Sequence, residues 1–144
     1  MAELKTLAEA EVGEEFGPIE YAVTNDLVEK FAQALDYPAV WLDPPSSGAR
    51  VNPIICDRDG YRVYQTKYIP PLGTLHAKQE FEYLNPPRLG KKVRVTAKIV
   101  DRYVKKDREY TVMESLSVDE DGVEIIRGRR VVCYLIATKT EKWC

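Results

Sequence analysis

Asp36, Trp41 and Asp43 share one loop, DYPAVWLDPPSSG, spanning 36–48. Three prolines and Ser46-Ser47-Gly48 keep this loop out of regular structure. Two acids beside a tryptophan make it the first candidate site. A carboxylate can act as general acid or base, but the work is usually shared with a second titratable group, most often imidazole. The chain has one histidine, His76, and it lies on another segment. The indole N–H of Trp41 donates a hydrogen bond but does not exchange protons in this chemistry. Asp36 also reads equally well as the residue that ends the preceding helix.

Other residue patterns point to less. Cys56, Cys133 and Cys144 are odd in number and lack C-x-x-C spacing, so neither a disulfide framework nor a zinc site is expected. Cys133 lies in an apolar strand and reads as a small buried hydrophobe, and Cys144 sits at a fraying end. No metal or cofactor is implied. The sequence has no G-x-S-x-G elbow, P-loop or G-x-G-x-x-G. Arg127, Arg129 and Arg130 form a basic cluster that reads as a solvated or interface face.

The elements that carry these residues are legible in part. Thr24 is a good N-cap, Asp26 suits a helix N-terminus, and Val23 and Val28 stand at the staple positions. Leu27, Phe31 and Leu35 recur every four residues, predicting an amphipathic helix over 25–35. Ile19, Tyr21 and Val23 predict a short strand before it. Leu4, Leu7 and Ala8 predict a short helix or a loose arm. No long apolar helix is legible between 49 and 72, where Tyr61, Val63 and Ile69 suggest short extended pieces.

Period-two alternation dominates the rest. Leu75, Ala77, Phe81 and Tyr83 fall on one parity, and His76, Lys78, Glu80 and Glu82 on the other. Asn85-Pro86-Pro87 stops that strand, because proline gives no N–H to a ladder. Val93, Val95, Ala97 and Ile99 are expected to face the core, with a bulge near Ile99-Val100. Val112, Leu116 and Val118 are expected on the same buried face, with Glu114 among them. Asp119-Glu120-Asp121-Gly122 marks a hairpin, and a last strand is predicted over 123–137. Sequential antiparallel strands after an early helix give an α+β fold.

At 144 residues and 44% hydrophobic content, the chain fits one domain over 1–144, with a core from about 12 to 138. The net charge of −2 points to no nucleic-acid or anionic-membrane partner. No apolar run reaches membrane-span length, so no membrane contact and a cytoplasmic location are expected.

The pattern from His76 through Tyr83, the prolines at 86–87, Gly90 and the long alternating strand resembles the MaoC-like hydratase/dehydratase family, closest to N-terminal-type MaoC dehydratase domains. The resemblance runs from about Val12 to Tyr134 and implies a single hot-dog domain. In such a domain a bent antiparallel sheet is interrupted by helical segments between its first and second strands. The family chemistry it implies is addition of water to an enoyl thioester, or its removal from a 3-hydroxyacyl thioester. The family places Asp and His in a pattern like G-D-x-N-P-(I/V)-H-x-D. Here Asp36 matches the Asp, the catalytic position, Asp43 matches the trailing Asp, and Trp41 stands where the His belongs. Leu35 replaces the Gly, Pro38-Ala39 replaces Asn-Pro, and Gly90-Lys91 replaces a usual Gly-Asp.

The resemblance implies an acyl-CoA or acyl-ACP binding subunit with Trp41 and Asp43 on the substrate. The chain would work as a homodimer or as a heterodimer with a catalytic MaoC-like chain. The basic cluster at 127–130 has a second reading here, as a contact for coenzyme A phosphates. Two alternatives stay open. One is a self-sufficient thioesterase or hydratase that uses Asp36, Asp43 or Glu114. The other is a homodimeric binding protein without chemistry.

Overall fold

The computed structural model describes residues 4–136. Cys144 and the end of the last predicted strand lie outside them. The elements in chain order are β1 (Lys5–Thr6), β2 (Glu15–Ala22), α1 (Asn25–Leu35), α2 (Asp59–Gln65), β3 (Tyr68–Ile69), β4 (Leu75–Tyr83), β5 (Lys92–Lys105), β6 (Arg108–Asp119) and β7 (Glu124–Leu135). One antiparallel sheet has the order β2-β5-β6-β7-β4, and β1 and β3 form a small parallel pair beside it. The helices fall between the first and second strands of the main sheet. This is the α+β hot-dog arrangement.

α1 begins as its sequence dictates. The Thr24 hydroxyl accepts from the Leu27 N–H at 3.1 Å, and Val23 and Val28 are fully buried. The N-terminal arm is tied down by the β1–β3 pairing and a 3-10 turn at Leu7–Glu9 that buries Leu7 completely. The segment expected to be extended at Tyr61 and Val63 is instead helix α2. Asp59, Val63 and Tyr64 are its buried positions, a helical spacing obscured by the polar run Asp57-Arg58-Asp59-Gly60. α2 is only seven residues long, so no long apolar stretch marks it in the sequence.

α2 packs against β2, β5 and β6. Gly17 makes the approach possible. Its φ is +92°, and a Cβ there would lie 2.9 Å from both the Val95 carbonyl and a methyl of Val63. The β2 register shifts between Phe16 and Ile19, around this point.

Register fixes the two faces of the sheet. Val93, Val95, Ala97 and Ile99 are buried on the helix side, as expected, and the β5 bulge falls at Val100. Directly opposite them on β6 stand Asp119, Ser117, Ser115 and Met113. The expectation for β6 is therefore corrected. Val112, Leu116 and Val118 lie on the outer face, and Ser115, Ser117 and Asp119, with Met113, face the helix side. Leu116 and Val118 are half-buried, and Val112 is covered by its neighbours on that outer face. The inversion has a cause: α2 brings a carboxylate and a glycine to β6, so serines rather than large apolar groups meet it.

β4 carries a second correction. Its register slips between His76 and Lys78, so His76 opposes Val132 and Lys78 opposes Val131. A one-residue slip moves side chains to the other face. His76 therefore joins Gln79, Phe81 and Tyr83 on the inner face, while Lys78, Glu80 and Glu82 remain outside. The basic cluster also divides. Arg127 and Arg129 point outward with Leu116 and Glu114, whereas Arg130 opposes Met113 on the inner face.

Candidate functional site

The loop expected to hold the site begins at the end of α1. Asp36 is the C-cap, in the left-handed conformation with φ 49°, and its N–H bonds to the carbonyls of Ala32 and Gln33. Aspartate tolerates this region better than most residues. Its side chain is exposed. A 3-10 turn over Pro38–Val40 follows and buries Val40 completely. Trp41 then runs extended and pairs with Val51. Its half-buried ring packs against the core, and its indole N–H donates to Glu29 Oε1 on α1 at 3.0 Å. The indole is thus spent on the helix that precedes it.

Asp43 is engaged as well. It accepts from the Arg50 backbone N–H at 2.8 Å and from the guanidinium at 3.0 to 3.3 Å. These bonds hold its carboxyl below the usual carboxylate range. Asp43 closes the 43–50 loop. The loop therefore holds Asp36, Trp41 and Asp43 in sequence, and each has a local structural partner. His76, the chain's single histidine, sits on β4 with its Nε2 3.0 Å from Gln79 Oε1. None of its recorded bonds reaches the loop.

A second polar cluster was not legible in the sequence. Asp59, 1% exposed, enters the core from the first turn of α2. Its Oδ2 accepts from Tyr21 Oη on β2 and from Ser117 Oγ on β6, both at 2.8 Å. Cys56 Sγ lies 3.2 Å from the same Tyr21 hydroxyl. Burial pushes the Asp59 carboxyl up to about 6, against the two hydroxyl donors that favour the charged form. Oδ1 has no hydrogen-bond partner and borders a void of about 20 Å³, room for one water. Next to it, Tyr83 Oη on β4 donates to Asp57 Oδ1 at 2.7 Å. The available signal was Ser115 and Ser117 on one parity of an otherwise apolar strand.

From Asp59 the inner face continues along Gln79 and Arg130 to a larger recess of about 400 Å³ between α2 and β4. Tyr61, Tyr64, Thr74, His76 and Arg130 line it. Among the described residues no group of three or more His, Cys, Asp or Glu is placed to hold a metal ion, and no helix is long and apolar enough to cross a membrane.

This sheet and helix arrangement is the one shared by hot-dog hydratases and dehydratases. The family model described as the FAS1-like dehydratase domain region matches residues 10–128, and the chain belongs to this MaoC-like hot-dog dehydratase family. Among solved structures, the MaoC-like dehydratase from Rhodospirillum rubrum superposes with a TM-score of 0.71 at 21% identity, over 90% of this chain and 96% of that one. The HadBC (3R-hydroxyacyl-ACP dehydratase) complex from Mycobacterium tuberculosis gives 0.70 at 14%, over 89% of this chain and 100% of the other. The (R)-hydratase of A. caviae involved in PHA biosynthesis gives 0.66 at 17%, over 86% and 96%. At these identities the likenesses speak for the fold. No curated protein sequence matches the chain significantly.

Proposed function

We propose that this chain is the acyl-thioester-binding, non-catalytic half of a two-chain enoyl hydratase/3-hydroxyacyl dehydratase. The observation that carries this reading is the engagement of Trp41. Where the resembling family has imidazole, this chain has an indole bonded to Glu29. Asp36 keeps the place of the family acid without a base to share the proton transfer. Asp43, tied to Arg50, supports the loop beside the substrate rather than reacting with it. A similar fold in the HadBC complex supports a two-chain assembly here.

The free edge of β4 supports it too. A sheet of order β2-β5-β6-β7-β4 leaves the outer N–H and C=O groups of β4 unpaired. Along that strand Leu75, Phe81 and Tyr83 are 53%, 37% and 50% exposed. A second hot-dog chain adding its own edge strand would satisfy the backbone groups and cover the apolar ones. The alternatives that use Asp43 or Glu114 as sole catalytic carboxylate are weaker. Asp43 is occupied by Arg50, and Glu114 lies on the outer face between Lys98 and Arg129.

The test is native mass spectrometry of the chain purified from its own host. The expected species contains this chain and a second, histidine-bearing MaoC-like chain. A species containing only copies of this chain would count against the proposal.

A further inference from the structure

Two edges bound the main sheet, and they differ. β2 carries Pro18 within its span and a register shift between Phe16 and Ile19, and both features blunt an edge. β4 has no proline, and all nine of its residues are exposed except the half-buried Gln79. Its outer face carries Lys78, Glu80 and Glu82, and its inner face Gln79, Phe81 and Tyr83. Among the described residues Glu82 reaches Arg127 at 3.8 Å, whereas Lys78 and Glu80 form no salt bridge.

The two faces restrict how such a strand pairs with itself. Residues directly opposite each other in an antiparallel pair share a face. A two-fold axis between two copies of β4 must therefore pass through a residue, not between two. Centred on Lys78, Glu80 or Glu82, the pairing sets a charge against its own copy. Centred on Phe81, it sets Glu80 against Glu82. Centred on Gln79, it sets Lys78 against Glu80 of the second copy, and symmetry forms the same pair again. Phe81 then lies beside the bulged Ala77 of the second copy.

We infer that the free edge of β4 pairs with a second copy of this chain, antiparallel and centred on Gln79, whenever no other chain occupies it. The charges of the outer face fit this register. Across the sheet Glu15 opposes Lys98, Lys98 opposes Glu114, Glu114 opposes Arg129, and Arg129 opposes Glu80. Lys78 of the second copy, next to Glu80, continues the alternation across the new seam. Assembly closes at two chains, because the pairing uses β4 of both copies and β2 is blunted. The inference does not rest on the two-chain function. A histidine-bearing second chain would compete with the second copy for the same edge.

The experiment is sedimentation equilibrium of the chain produced without any second chain, at concentrations up to about 1 mM. The wild type is expected to be a dimer. Lys78→Glu and Glu80→Lys each make both cross-strand pairs repulsive, and each should weaken the dimer about tenfold or more. An equimolar mixture of the two variants restores opposite charge at both pairs and should dimerise about as tightly as the wild type. Both positions are exposed, so both variants should fold, and circular dichroism melts check this. If either reversal unfolds the chain, Lys78→Gln and Glu80→Gln take their place, and dimers that both leave unchanged overturn the inference. A wild type that stays monomeric or grows beyond the dimer overturns it. So does a dimer that neither reversal weakens, or a mixture no tighter than the single variants. The two-chain function fails separately, if the chain from its own host is found only with copies of itself.

Discussion

Asp59 is a carboxylic acid held in the core, 1% exposed. Its carboxyl titrates near 6 when folded and near 3.8 when free, because burial disfavours the charge. The folded state therefore holds the proton longer than the unfolded state. This contribution to stability is fully present below pH 3.8 and is lost as the pH rises through 6. About two pH units of difference correspond to a loss of about 3 kcal/mol. Urea unfolding of the wild type and Asp59→Asn at intervals from pH 4 to 7 checks this. The wild type should lose stability relative to the variant across that window, and parallel curves would show that Asp59 is not buried as described. Trp41→His belongs to the same scale. It removes the bond to Glu29 and introduces an imidazole, yet it should give at most weak hydration of crotonyl-CoA. The Gly and Asn-Pro positions of the family loop are changed as well, and catalytic groups need placement within about 0.5 Å.

Among the elements, β5 and β6 show what alternation can and cannot tell. Val95 is fully buried and Thr96 is exposed on the opposite face. Val95→Asp buries an unpaired charge and should cost more than about 4 kcal/mol, enough to prevent folding. Thr96→Asp should cost well under that, and circular dichroism melts separate the two. Leu116→Asp extends the test to β6. On the outer face described here it should be nearly as mild as Thr96→Asp, whereas unfolding would restore the register that hydrophobicity suggests. Gly17→Ala should destabilise by about 2 kcal/mol or more, since φ is +92° and the Val95 carbonyl leaves no room.

These elements also show why legibility was uneven. β5 alternates apolar and polar against a helix on one side and water on the other, so its pattern gives its face directly. β6 meets α2 through Ser115 and Ser117, and a Cβ on Gly60 would lie 2.7 Å from Ser115 Oγ. Close approach there selects small residues, and the apolar parity is pushed outward. The His76 side change depends on a bulge that no residue type announces. α1 was legible through its cap and spacing, whereas α2 hid behind charged residues whose partners, Tyr21 and Ser117, are remote in sequence. The 36–43 loop could be found from its acids and tryptophan, but its bonds to Glu29 and Arg50 depend on tertiary placement.

For the whole molecule, the outer face of the sheet carries a row of alternating charge. Glu15 opposes Lys98, Lys98 opposes Glu114, Glu114 opposes Arg129, and Arg129 opposes Glu80. Cross-strand pairs of opposite sign stabilise a sheet modestly, and like charges destabilise it. The row makes the middle of the outer face polar and charged. The most direct measurement is steady-state hydration of crotonyl-CoA by the purified chain without any second chain. The expected rate is indistinguishable from that of the uncatalysed reaction, because the loop offers Asp36 without an imidazole. A turnover in the ordinary enzymatic range, on the order of 1 to 1,000 per second, would contradict it.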